Sequence, residues 1–262
     1  MSRAVSLINR IISAITAASG HTAISPDPDG RWFSVPEGGV TSQFMDYKSG
    51  TYAARPAASA VNAGMIYIAT DIGIAPGCLF RSTGSAWQQV GDCVLYIATA
   101  SLTRTAPQAN ITIIPSGIGT LTIPANAAAA GCQVEIYTYG KSTNTAGALN
   151  TLLTAKLGTT VVATCPGLVD NVVQADYLRC SKTTLTFQTI GASADIASVI
   201  EEAWFYVAGR GWILQSAIAV DPTANTVDST TALVIDLMSP TNGTAGDTTT
   251  VQQMKVVVRG LQ

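Results

Sequence analysis

From residue 93 to the C-terminus the pattern is that of β-strands almost throughout, with apolar and polar residues trading places at a period of two in several stretches. The alternation is clean in Gln133-Val134-Glu135-Ile136-Tyr137 and in Thr184-Leu185-Thr186-Phe187, which is the mark of strands with one buried and one wetted face. Strands are predicted over 94–98, 111–114, 119–123, 133–139, 149–156, 160–164, 172–179, 183–188, 204–208, 211–215, 232–238 and 253–259, with turn residues between them at short intervals. Many short strands at this spacing and no long helix predict a jelly-roll-like β-sandwich. An immunoglobulin-like sandwich and a closed barrel fit the same spacing, but the Cys…Trp…Cys pattern of immunoglobulin domains is missing.

Upstream the period changes. Val5, Ile8, Ile12 and Ile15 recur at steps of three, four and three, predicting a short helix with an a/d seam, capped by Ser2 and stopped at Gly20. So short a helix is marginal alone in water, so the seam needs a partner. That partner is either the same helix from other copies or the protein's own body; isoleucine at both seam positions favours three or more strands. Residues 21–50 are rich in Pro, Gly, Asp and Ser and predict a connector of tight turns. The connector carries Trp32, Phe33, Phe44 and Tyr47, expected to dock on the next domain or on another protein. Residues 51–92 predict three short strands at 65–70, 78–82 and 86–90, with Ser-Thr-Gly-Ser turning between the last two. The expected chain is therefore mainly β. It has an N-terminal short helix and connector at 1–50, a small β-hairpin module at 51–92 and a C-terminal jelly-roll-like β-sandwich at 93–262.

Composition sharpens this picture in one respect. Only 11% of residues are charged, against roughly 25% in an average soluble protein. Either Thr and Ser coat a neutral β surface, or neighbouring chains cover much of it. The net charge of −2 comes without any block of like charges. No nucleic-acid partner is expected, since that would require a basic stripe, and nothing resembles a basic membrane-surface helix. No run of 18 apolar residues occurs, so no membrane insertion by a helix is expected. The N-terminus has the outline of a signal peptide, but Asn9 and Arg10 break its apolar run; synthesis and folding in a cytoplasm are expected. Cys78, Cys93, Cys132, Cys165 and Cys180 show no CxxC or metal spacing. Cys93 and Cys132, on apolar strands, are expected to be small buried hydrophobes.

One ordered set of motifs carries a resemblance. It consists of Arg55-Pro56-Ala57-Ala58-Ser59-Ala60, then Gly64-Met65-Ile66-Tyr67-Ile68-Ala69-Thr70-Asp71, then Leu79-Phe80-Arg81-Ser82 with Gly84-Ser85-Ala86-Trp87. This set resembles a connector module of tailed-bacteriophage structural proteins, found in tail fibres, spikes and head-decoration proteins ahead of a distal domain. The Thr-rich β region that follows is similar in architecture to the jelly-roll heads of many phage fibres. The resemblance implies a homotrimeric virion protein that attaches by its N-terminus to other virion proteins, of the tail baseplate or of the capsid. Its head would face outward, with host surface glycan as a candidate partner. Capsid decoration, a glycan-degrading spike and a secreted lectin-like sandwich are the alternatives.

The residues offer little chemistry. The sole histidine, His21, has no orienting partner in the sequence, and neither His nor Cys falls at ligand spacing. Glu201 and Glu202 are the nearest approach to the acid pair of a glycosidase. Neighbours on a strand point to opposite faces, and a solvated turn at a strand's start is the expected place for both. Asp27-Pro28-Asp29-Gly30 does not complete a calcium loop. Gly209-Arg210-Gly211 predicts a hairpin turn. No catalytic residue, metal or cofactor is expected. Trp204, Tyr206 and Trp212 are the surface-recognition candidates, competing with a core role.

Overall fold

The computed structural model describes residues 21–26, 32–36, 42–45, 47–105, 108–116, 121–145, 149–170, 174–208, 211–241 and 246–262. The seam residues Val5, Ile8, Ile12 and Ile15 and the loop at 27–30 lie outside the described residues. The chain divides into two compact units, Met1–Ala69 with Leu79–Val90, and Thr70–Cys78 with Gly91–Gln262. Helix among the described residues is limited to two 3-10 turns, Tyr52–Ala54 and Ala60–Asn62.

In the first unit, β1 (His21–Pro26), β2 (Trp32–Pro36) and β3 (Ser42–Met45) form an antiparallel sheet in that order. Residues 21–50, expected as a connector of turns, thus carry paired strands. The prolines sit at strand ends, at Pro26 and Pro36, where they break no central ladder. A second sheet has the order β4 (Tyr47–Gly50), β5 (Ile66–Ala69), β6 (Cys78–Ser82) and β7 (Trp87–Gln89). Its β4–β5 pair is parallel, so the chain between them crosses over through the two 3-10 turns.

The second unit is a sandwich of two antiparallel sheets. Its strands in chain order are β8 (Cys93–Ile97), β9 (Leu102–Thr105), β10 (Gln108–Thr112), β11 (Thr122–Ile123), β12 (Ala128–Asn144) and β13 (Leu149–Leu157). They continue with β14 (Thr160–Asp170), β15 (Gln174–Phe187), β16 (Ala194–Ala208), β17 (Gly211–Val227), β18 (Leu233–Thr241) and β19 (Thr248–Leu261). The larger sheet runs β17-β16-β15-β12-β19-β8, with β9 also on β19; the smaller runs β10-β18-β13-β14, with β11 on β18. Alternation decides which residues go inside. Val134, Ile136, Leu185, Phe187, Ile200, Val256 and Val258 are buried on the larger sheet, and Leu153, Ala155, Leu157, Ile235 and Leu237 on the smaller. Side chains also bond the sheets together: the Ser198 hydroxyl and the Asn225 amide of the larger sheet donate to the Val162 carbonyl on β14, at 2.8 and 3.1 Å.

Several strands depart from the sequence reading, and two of the departures place polar residues that were read as turns. The strands predicted at 172–179 and 183–188 merge, over Gln174–Phe187, into one continuous β15, unbroken at Cys180-Ser181-Lys182. Ser181 meets Thr138 at 2.5 Å inside the sandwich and Lys182 reaches Glu135 outside it, so each polar residue has a partner in place. β16 starts ten residues before the predicted 204, which puts Glu201 and Glu202 in mid-strand instead of a turn. Cys132 is buried and free as expected, whereas Cys93 forms a disulfide with Cys78, Cα to Cα 5.1 Å, with both residues buried.

Candidate functional site

The motif residues of the small module meet in one knot. Arg55 leaves the first 3-10 turn and lays its guanidinium over three rings, 4.3 Å from Tyr52, 4.7 Å from Phe80 and 5.3 Å from Trp87, each a cation–π contact. Trp87 donates its indole N–H to the Pro56 carbonyl at 2.8 Å, and Tyr67 donates its hydroxyl to the Thr51 carbonyl at 2.9 Å. Buried Asn62 closes the other side: its amide donates to the Ala57 carbonyl, and its oxygen accepts from the Ser59 N–H and the Ser82 hydroxyl. Gly84, at φ 92°, makes the turn after Ser82, where any Cβ would be strained. Burial raises the Tyr52 hydroxyl pKa above its ordinary value, against the charge of Arg55. Arg-Pro, Asn-x-Gly, Tyr and Gly-Ser-Ala-Trp are thus the parts of one small fold.

The outer face of the larger sheet is a chemically mixed surface with local hollows. Register aligns Ile97, Lys255, Tyr137, Lys182 and Glu201 in one row across β8, β19, β12, β15 and β16. The next row holds Gln253, Tyr139, Cys180 and Ala203. Tyr139, Leu178 and Ile97 are 52%, 49% and 48% exposed, which is unusual for large apolar side chains on a strand. Two hollows of about 480 and 510 Å³ open here and share Tyr139 and Gln253. One is lined by Ile97, Tyr137, Lys255 and Arg259, the other by Gly140, Leu178, Cys180 and Gln252.

A bulge builds the junction. The β12–β19 register shifts between Tyr139 and Gly140, so Gln252 has no cross-strand partner and both Gln252 and Gln253 face out. Gly140 allows it: a Cβ there would lie 1.9 Å from the Thr250 carbonyl oxygen. Charges brace the floor beside Tyr137. Arg259 bridges Asp92, at 2.6 and 3.0 Å, and Glu135, which also accepts from Lys182 at 2.9 Å. Burial pushes the Glu135 carboxyl up, but the Lys182 hydrogen bond and the Arg259 and Lys182 charges outweigh it and hold it below the ordinary range. The Arg259 hydrogen bond lowers Asp92, and the Glu135 hydrogen bond raises Lys182, whose ammonium lies 5.5 Å from the Tyr137 ring centre.

Glu201 and Glu202 fall on opposite faces. Glu201 is exposed, while Glu202 is buried in an ion pair with Arg179 on the inner face. Among the described residues no three His, Cys, Asp or Glu side chains cluster as a metal site, and no helix is long and apolar enough to cross a membrane. The recognition candidates lie on the β16–β17 hairpin: Trp204 pairs with Gln215, Tyr206 with Ile213 and Trp212 with Val207, and Ala208 opposite Gly211 closes the pairing. The docking candidates Trp32 and Phe33 are on β2, Phe44 on β3 and Tyr47 on β4. The sequence signal for the hollows was Gly140 interrupting a clean alternation, since glycine inside a strand marks a bulge or a close backbone approach.

No family model matches the chain, and no curated protein does. Among solved structures, arcelin-5, a lectin-like defence protein from Phaseolus vulgaris, aligns with a TM-score of 0.36 at 8% identity, over 65% of this chain and 100% of its own. The CBM2 module of the evolved Dit of Lactobacillus casei BL23 phage J-1 gives 0.23 at 10%, over 64% and 76%. The VP2 subviral particle of infectious bursal disease virus gives 0.17 at 16%, over 76% and 48%. At TM-scores this low, none of the three carries an argument about this chain.

Proposed function

We propose that this chain is a structural protein of a tailed-phage virion, a homotrimeric short tail fibre or spike. It attaches through residues 1–50 and presents its β-sandwich head to the host surface. The observation that carries the reading is the knot around Arg55 and Trp87. The segments that resemble the phage connector, spread over more than thirty residues of sequence, fold into one interlocked module, so the resemblance is to a folded part. The small charged fraction, 11%, fits a chain whose surface is partly covered by neighbours. The head's task is binding without bond cleavage: of its adjacent acids only Glu201 is exposed, and Glu202 is committed to Arg179.

Immunogold electron microscopy of purified particles tests the reading. Gold on the tail tip is expected. Gold spread over the shell would move the chain to capsid decoration, and absence from the particle would remove it from the virion. Sedimentation of the full chain is expected to give a species of three 27.0 kDa chains; a monomer would refute the trimer. Incubation with host polysaccharide is expected to release no new reducing ends.

A further inference from the structure

We propose that the bulged groove across Tyr137, Tyr139, Gln252, Gln253 and Lys255 is a saccharide-binding site, in which a sugar ring lies against the Tyr139 face and a neighbouring ring extends over Tyr137. The assignment rests on the host-facing reading of the head and names the residues that would make the contact. Tyr139 stands half-exposed in the middle of a sheet face, where a lone polar Thr would serve solubility better. A tyrosine ring offers a flat apolar face and a polar tip, matching the C–H face and hydroxyl rim of a pyranose. The two hollows meet at Tyr139 and Gln253, so the groove has length for more than one ring.

The polar groups are of the right kind. Side-chain amides both donate and accept, and the bulge presents two in succession, Gln252 and Gln253, beside the ring. The Lys255 ammonium is exposed on the next row and makes no salt bridge among the described residues, leaving its donors for ligand hydroxyls. Lys182 and Arg259 are held by Glu135 and Asp92, which fixes the floor without competing for ligand. A packing face for a second copy would be drier and more apolar at its centre; here the centre carries two amides and an ammonium.

The test is saturation-transfer NMR on the full-length chain with oligosaccharides of hexose, N-acetylhexosamine, 6-deoxyhexose and hexuronate. Transfer to ring protons of at least one class is expected. Tyr139→Ala is expected to weaken that binding about tenfold, the loss of one aromatic contact, and Gln253→Ala by a similar factor. Both sites are exposed, so melting and sedimentation should stay at the parent's values. Silence with all four classes, or binding unchanged in both variants, overturns the site. A Tyr139→Ala chain that dissociates in sedimentation overturns it too, by making the face a subunit contact. Gold labelling of the virion is indifferent to these results, so the site can fail while the virion assignment stands.

Discussion

The ion pair between Arg179 and Glu202 permits a sharp test of how the sandwich interior works. Arg179 is 6% exposed and the Glu202 side chain 0%. The polar groups Ser181 and Thr138 lie on the same inner face. Two charges withdrawn from water this completely have lost most of their hydration, and their mutual attraction offsets that loss only while both are present. Arg179→Met therefore takes the opposite charge from a buried carboxylate, and Glu202→Leu takes it from a buried guanidinium. Each single change is expected to cost about 3–5 kcal/mol. For a unit of this size about 2–4 °C accompanies each kcal/mol, so melting should fall by roughly 6–20 °C. The double variant removes both charges and keeps the volume, and should return to within about 1 kcal/mol of the parent or exceed it. Urea unfolding of the four chains, read as a double-mutant cycle, isolates the coupling. Single variants within 1 kcal/mol of the parent, or a double variant as unstable as the worse single, would refute the account.

Other expectations follow from features at some distance from that pair. The Cys78–Cys93 bridge closes a separation of 15 residues, worth about 3 kcal/mol of loop entropy; reductant should lower the melting temperature by roughly 6–12 °C, and an unchanged melt would count against the bridge. Burial pushes the Cys132 thiol up to about 12, so native chain treated with iodoacetamide at pH 8 should show Cys132 unmodified by peptide mass mapping. Trp87→Ala removes a buried indole and its bond to Pro56 at about 3–5 kcal/mol. Amide exchange should then quicken in β5 and β6 while β12 and β19 keep their protection. Because the folded Glu135 carboxyl titrates below its unfolded value, its contribution is present above the unfolded pKa and lost as pH falls through the folded one. Glu135→Gln should flatten the acid limb of the melting curve, and identical limbs in the two chains would contradict this.

The sequence was most legible where one face is apolar and the other polar. The predicted 78–82 strand matches β6, because Cys78, Phe80 and Ser82 face in while Leu79 and Arg81 do not. The predicted 133–139 strand is the centre of β12 for the same reason. Legibility failed where the interior is itself polar. Ser181, Glu202, Thr138 and Ser142 are buried but carry the sequence look of turns and surface, since a hydrophobic pattern does not register a polar group satisfied by a partner many residues away. The outer groove was missed for a related reason. Tyr137 and Tyr139 are separated in sequence from Gln252, Gln253 and Lys255, and only strand pairing brings them together. Trp204, Tyr206 and Trp212, by contrast, fall within one short stretch of sequence.

The Cys78–Cys93 bridge also determines how the chain would bear a mechanical load. A pull on the two ends of the polypeptide runs through the sulfur–sulfur bond, and the stretch between the cysteines, with most of β6, all of β7 and the Trp87 anchor, forms a closed ring off the tension line. Under such a load that hairpin keeps its hydrogen bonds while strands on the line are strained. Reducing the bridge puts the hidden stretch in series and adds about 50 Å of extensible contour, from 15 residues at roughly 3.4 Å each. Single-molecule stretching with and without reductant would read that length directly.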